Sequence, residues 1–287
     1  MSAPFHRVAI LGVGLIGGSF ALALRRAFPD VHVAAWDRRE VLDRARQRGI
    51  IDQAFEDLAA ACRDRDLVYL ALPVEESIRR MPEIAAATPA DSLVTDSGST
   101  KVFVCDAARQ AFPPPRLFLG GHPVTGKELG GCEHASADLF SGASYVLIQD
   151  PGSQPASQDA RAGRLAGVIE TIGARLVWLD AAEHDRLIAF LSHLPQIAAV
   201  ALAETVLEGA GEAAGSLAGP GLRDSLRLAG SPYALWADIC RTSPSLDEAI
   251  GRLVGSLEHV RSRLRSDDLA EDFQQSARLY KILRGME

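Results

Sequence analysis

His122 stands in the run GGHPVTGKE, directly after the apolar stretch RLFL. Histidine is the side chain whose ordinary pKa, near 6.5, lets it take up or release a proton around neutrality. A histidine in a glycine-rich turn at the end of a strand is placed to point into a ligand cleft. Ser99, in DSGSTK, follows the preceding apolar run SLVTD. Its hydroxyl suits a hydrogen bond to His122 or to a substrate oxygen. Arg223 and Arg227 are four apart in GLRDSLRLAG and so share one helix face, which by itself describes a solvated charged surface. His184 and His193 are nine apart. Nine residues at about 100° each put them on opposite sides of a helix, whereas zinc-binding histidines stand four apart. No metal site is expected.

A proton-transfer pair needs something to hold its reactants, and the N-terminus supplies a candidate. Gly12, Gly14 and Gly17 form G-x-G-x-x-G, with Leu15 and Ile16 inside the turn. RVAILG before it reads as a strand, and GGSFALALRRAF after it reads as an amphipathic helix. In that context Gly12 allows the tight turn, Gly14 lets a pyrophosphate approach the backbone, and Gly17 lets helix pack on strand. The helix start offers unpaired N–H groups and a positive dipole end to phosphate. A second strand, VHVAAWD, ends in Asp37, 20 residues beyond Gly17. An acidic side chain there accepts hydrogen bonds from the adenosine ribose hydroxyls and repels a 2′-phosphate, favouring NAD. Arg38 and Arg39 follow at once and pull toward NADP, because arginine pairs with phosphate.

The elements around these motifs describe an open, doubly wound parallel sheet, an α/β fold of the Rossmann type. RDLVYLALP reads as a buried strand that Pro73 ends, and SLVTD, RLFL, SYVLIQD and ARLVWLD supply further strands alternating with helices. Pro82 marks a break or a new start within ESIRRMPEIAAA. Ligands bind beyond the carboxyl ends of such strands, which here carry Gly12, Asp37, Pro73, Ser99 and His122. After Asp180 the texture becomes helical, with GAGEAAGSLAGPG (residues 209–221) as a glycine-rich linker. The expected division is therefore a dinucleotide-binding domain over 1–179 and an all-α domain over 180–287. Several of its helices are too apolar to face water, and a homodimer through them is the simplest way to cover that surface.

Composition bounds the partners. The formal charge of −7 argues against nucleic acid. No apolar stretch approaches the roughly 20 residues that span a bilayer. No signal-peptide pattern opens the chain. Four scattered cysteines without a C-x-x-C pair fit reduced thiols in the cytoplasm.

Taken together, GVGLIGGSFALAL, TDSGSTK, GGHPVTGKE, EHDRLIAFLSHLP and GPGLRDSLRLAGSPYALWADI resemble, in order and over nearly the whole chain, the prephenate and arogenate (cyclohexadienyl) dehydrogenase family. The resemblance implies a Rossmann domain followed by a helical dimerisation domain. It implies NAD-dependent oxidative decarboxylation of a cyclohexadienol in tyrosine biosynthesis, in the monofunctional form. It casts His122 as the catalytic histidine and Ser99 as its support. His193, Arg227 and Trp236 become residues of the substrate pocket, Arg227 as the carboxylate ligand. Lys101 and Glu128 lie in matching motifs without an assigned role. Gln196 stands where many relatives have histidine, which leaves prephenate against arogenate open. A different two-domain dehydrogenase, of the β-hydroxyacid or imine-reductase kind, is the alternative, but it would call for a lysine in the helical half. The lysines here are Lys101, Lys127 and Lys281.

Overall fold

The computed structural model describes residues 3–127, 129–149 and 159–286. Its first layer is a six-stranded sheet of β1 (Arg7–Leu11), β2 (His32–Trp36), β3 (Gln53–Phe55), β4 (Leu67–Leu70), β5 (Leu93–Asp96) and β6 (Leu117–Leu119). All pairings are parallel and the order is β3-β2-β1-β4-β5-β6. That is the dinucleotide-binding order, with the chain reversing direction across the sheet between β1 and β4. Between the strands run α1 (Leu15–Ala27), α2 (Arg39–Gln47), α3 (Leu58–Cys62), α4 (Val74–Ala87) and α5 (Val102–Ala111). Alternate residues of β1 serve opposite layers. Val8 and Ile10 pack with Phe20, Leu24 and Tyr69, while Ala9 and Leu11 pack with Met81, Ile84 and Val104. Burial on both faces is why the strand reads as a continuous apolar run.

The later strands depart from the expected single sheet. β7 (Gly121–Val124), β8 (Ser144–Ile148) and β9 (Arg175–Leu179) form a separate three-stranded sheet, β7 antiparallel to β8 and β8 parallel to β9. The glycines at 120 and 121 make the change of sheet possible. A Cβ on Gly121 would stand 2.6 Å from the Asp96 carbonyl oxygen, and one on Gly120 would stand 3.0 Å from Cys105 Sγ. His122 is therefore a strand residue opposite Val146, rather than the tip of a loop. The helix α6 (Ala160–Thr171) buries Leu165, Val168 and Ile169 in the same core as Tyr145 and Leu147.

Pro82 does not break its helix. It lies inside α4, which runs on through it with Met81, Ile84 and Ala85 buried. Beyond β9, α7 (Ala181–Ile188), a π-helical turn (Ala189–His193) and α8 (Leu194–Ala210) run on as one helix. The glycine-rich stretch that follows is mostly helical: α9 (Ala213–Leu217) and α10 (Pro220–Ser225) occupy it, after Gly211 ends α8 with φ +53°. A 3-10 turn (Arg227–Gly230) and α11 (Tyr233–Thr242) complete a first compact unit, Met1–Pro244. The second unit, Ser245–Glu287, consists of α12 (Leu246–Arg263) and α13 (Leu269–Arg284). Contrary to the expectation that no apolar stretch is long enough, the joined helix Ala181–Ala210 is, by length and composition, apolar enough to cross a membrane.

Candidate active site

Each glycine of the fingerprint has a distinct physical reason. Gly12 has φ +94°, and a Cβ there would sit 2.4 Å from the Ala71 carbonyl oxygen. A Cβ on Gly17 would sit 2.0 Å from the Gly12 carbonyl oxygen. Gly14 is different: a Cβ there would meet nothing within 4 Å. It faces a cavity of about 480 Å³ that Leu15, Ile16, Pro73, Ser99 and Trp236 also line. A dinucleotide fits these residues, because open space lies against bare backbone at the α1 N-terminus. A second recess, lined by Trp36, Asp37, Arg38, Arg39 and Glu56, suits the adenosine end. Asp37 is fixed there, accepting from Val13 N–H and Arg38 N–H at 2.7 Å each. Of the two arginines expected to compete for a 2′-phosphate, Arg39 donates from Nη1 to Glu56 Oε1 at 3.1 Å in an exposed pair, and Arg38 Nε lies 4.0 Å from Asp37 Oδ1.

The neighbouring cavity, about 400 Å³, brings together Ser99, His122, His193, Gln196, Arg227 and Trp236. The residues singled out from sequence thus meet at one place. Arg223 is not among them. The shared helix face does not exist, because α10 ends at Ser225 and Arg227 begins the 3-10 turn. Trp236 is carried by α11, which is tied to the start of α4. Asp238 accepts from the Glu75 N–H at 3.1 Å, and Arg241 pairs with the Glu75 carboxylate at 2.6 Å. The Trp236 ring meets His193 edge-on at 6.0 Å.

Nδ1 of His122 lies 2.8 Å from Nε2 of His184, so that nitrogen pairs with a histidine rather than with Ser99. Nδ1 of His184 lies 2.7 Å from Asp185 Oδ1. Asp185 in turn accepts from the backbone N–H of Lys101 (2.7 Å) and of Val102 (2.9 Å) at the start of α5. EHDRL carries His184 and Asp185, but residue spacing gives them no role at the site, because nine residues on a regular helix set His184 opposite His193. The π turn absorbs one residue, so the separation behaves as eight α steps, about 80° rather than 180°. Pro195, which has no N–H to give, sits just beyond that turn. Among the described residues no group of three His, Cys, Asp or Glu side chains is arranged to hold a metal ion.

Burial pushes the His122 pKa well below its ordinary value, and the neighbouring His184, Lys101 and His193 push the same way. His184 is lowered by burial, against the pull of Asp185. Burial brings His193 down to about 4. Its Nδ1 lies 3.0 Å from Ser243 Oγ, and its Nε2 is buried without a partner. Gln196 donates from Nε2 to the Leu228 carbonyl at 2.9 Å, leaving Oε1 buried and unpaired. Both orphaned atoms belong to residues of the cavity wall.

Beneath the site, Lys101 and Asp96 form a fully buried ion pair. Lys101 Nζ also donates to the Gly121 carbonyl at 2.9 Å, and Asp96 accepts the Gly121 N–H at 3.0 Å. Both backbone polar groups of Gly121, the residue before His122, are thus held, which gives two buried charges the partners they need. Lys127 lines both cavities, with Nζ donating to the His134 carbonyl at 2.8 Å. Glu128 lies outside the described residues.

Comparison with known proteins agrees over nearly the whole chain. Residues 20–178 match the family model described as prephenate dehydrogenase, nucleotide-binding domain, and residues 180–281 the one described as prephenate dehydrogenase, dimerization domain. The chain is 32% identical over 288 residues to a prephenate dehydrogenase of Lactococcus lactis subsp. cremoris, covering 98% of this chain and 77% of that one. It is equally 32% identical to a cyclohexadienyl dehydrogenase of Zymomonas mobilis, covering 98% and 97%. A crystal structure of prephenate dehydrogenase from A. aeolicus, in complex with hydroxyphenyl propionate and NAD+, superposes with a TM-score of 0.83 at 28% identity, covering 97% of each chain.

Proposed function

The chain belongs to the prephenate dehydrogenase family of NAD-dependent oxidoreductases, and from that premise we propose that it oxidatively decarboxylates a cyclohexadienol in tyrosine biosynthesis. The substrate is prephenate, giving 4-hydroxyphenylpyruvate, or arogenate, giving tyrosine, or both. The observation that carries this reading is a buried His122, its pKa pushed down by burial, in one cavity with Ser99 and Arg227, beside the open backbone of Gly14.

The residues divide the work as follows. Leu15, Ile16 and Pro73 line the cleft beside Gly14, and Asp37 and Arg38 line the adenosine recess. NAD held there supplies the hydride acceptor. Arg227 takes a substrate carboxylate as a planar, charge-assisted fork. His193 and Trp236 wall the ring, and Ser99 hydrogen-bonds the substrate hydroxyl. His122 accepts the proton of that hydroxyl while the carbon beneath it is oxidised. When the ring carboxylate leaves as carbon dioxide, its bonding pair passes through the ring to the same oxygen. That oxygen then takes the proton back from His122, so the site ends in the state in which it began.

Residues 1–179 form the nucleotide-binding domain and 180–287 the substrate and dimerisation domain. The changeover between the two matched family models at 178–180 supports that boundary, even though α7–α11 fold compactly with the sheet. The long apolar helix Ala181–Ala210 serves as a wall of the site rather than a membrane span, since it carries the buried His184 and His193. The enzyme works as a homodimer in the cytoplasm, without nucleic acid or membrane as a partner. Prephenate and arogenate, each with NAD and with NADP, followed by absorbance of the reduced cofactor, test the function. NAD is expected to be favoured by about tenfold or more, from Asp37 hydrogen bonds and charge repulsion. Absence of reduction with both substrates would sink the proposal.

A further inference from the structure

His122, His184 and Asp185 form a chain whose direction is fixed at one end. Asp185 Oδ1 takes the Lys101 N–H and Oδ2 takes the Val102 N–H, so the side chain meets His184 as an acceptor. Nδ1 of His184, at 2.7 Å, must then be the donor. A neutral imidazole has one donor and one acceptor nitrogen. Nε2 of His184 is thereby the acceptor, and the His122 nitrogen 2.8 Å away, Nδ1, must carry the proton. The other nitrogen of His122, Nε2, is left without one, on a ring that lines the substrate cavity.

We infer that His184, anchored by Asp185 on the N-terminus of α5, is the positioning residue that selects the tautomer of His122 able to accept the substrate's hydroxyl proton. The inference rests on the proposed reaction for its purpose, but the tautomer itself does not depend on any substrate. A free imidazole favours the proton on Nε2, which would present a donor to the hydroxyl and block the transfer. In the forward step the substrate O–H bond breaks and its proton joins His122 Nε2, while Nδ1–H stays bonded to His184. The imidazolium so formed returns the same proton to the product oxygen. The proton balance therefore closes on His122, and His184 is required only to hold the ring's orientation and tautomer.

Nitrogen-15 NMR of the ligand-free full chain reads the tautomer directly. We expect His122 to carry its proton on Nδ1 and His184 to carry its proton on Nδ1. A wild-type His122 protonated on Nε2 would overturn the inference, whatever the variants do. His184→Gln keeps an acceptor for His122 and a donor for Asp185, and should hold kcat within about tenfold of wild type. His184→Leu fills similar space without an acceptor. It should move the His122 proton to Nε2 and lower kcat by about 10²–10⁴, with KM for NAD little changed. A packing role alone predicts the reverse order, Leu tolerated and Gln not, with the tautomer unmoved, and that result would also overturn the inference. If the wild-type chain shows the expected tautomer but reduces NAD with neither substrate, the proposed reaction fails while the tautomer assignment stands.

Discussion

At the scale of single residues, the site depends on a histidine kept neutral by burial among other cationic or imidazole groups. Because its pKa is held well below 6.5, His122 is a ready acceptor across the whole neutral range. The pH profile of kcat should therefore be flat above about pH 6.5 and fall only on the acid side, as His122 begins to protonate. His122→Asn keeps the approximate size but takes no proton, so kcat should drop by about 10²–10⁴ with a smaller change in KM. Near-native turnover in that variant would remove His122 from the mechanism. His193 carries a stability consequence of the same burial. Its folded pKa of about 4 lies below its unfolded value, so between the two the unfolded chain binds more protons and stability rises with pH. Urea midpoints should increase from about pH 4 to pH 6.5, and His193→Gln should reduce that slope, with the buried His122 and His184 supplying the part that remains; an unchanged slope would refute the assignment. Arg227→Ala should raise substrate KM by roughly ten- to a hundredfold, with NAD affinity little altered. Arg223→Ala, which changes a residue outside the cavity wall, should leave KM near wild type. Equal effects of the two would show that the carboxylate site lies elsewhere.

At the scale of elements, the sequence was most legible where a local pattern has a local cause. Strand, glycine turn, helix, strand and acid are adjacent in the chain, and β1 to Asp37 fold as their residue types require. It was least legible where one residue changes the path of a whole element. Helix α4 runs on through Pro82 with three neighbours buried, and a π turn before Pro195 rotates His193 toward His184. Neither effect is visible in residue spacing, because both depend on what the helix packs against. The switch of β7 to a second sheet escaped for the same reason. It follows from close contacts of Gly120 and Gly121 with Cys105 and Asp96, which are distant in sequence. The fingerprint glycines allow these two kinds of cause to be separated by experiment. Gly14→Ala adds a Cβ into open cleft at an ordinary φ of −79°, so it should leave Tm near wild type and weaken NAD binding by about tenfold or more. Gly17→Ala adds one 2.0 Å from backbone, so the α1–β1 packing must shift and Tm should fall steeply. Calorimetry with NAD titration distinguishes them. A Gly14→Ala chain that binds NAD normally would show that the pyrophosphate does not approach there.

At the scale of the whole molecule, the question is what covers the apolar surface of the C-terminal helices. Within the second unit, Leu257, Phe273 and Leu283 are 61%, 72% and 75% exposed, and Val254, Leu264 and Leu279 are at least half exposed. Single apolar residues at a surface need no explanation, but a cluster on two consecutive helices does. A second copy of the chain is the simplest cover, through a symmetric interface in which the same patch serves both partners. Testing this by cutting the chain near Asp180 would mislead, because the cut removes Asp185 and with it the acceptor at the start of α5. A cut after Pro244 follows the boundary of the first compact unit instead. The full chain should sediment as a dimer at micromolar concentration, and the 1–244 chain as a monomer. Phe273→Glu combined with Leu283→Glu should do the same to the full chain, by placing charge in a surface that must be desolvated. If the unaltered full chain sediments as a monomer, dimerisation through these helices is wrong. If the double variant stays dimeric, the interface lies on other helices of the C-terminal half, such as the exposed Leu202 and Leu207 of α8.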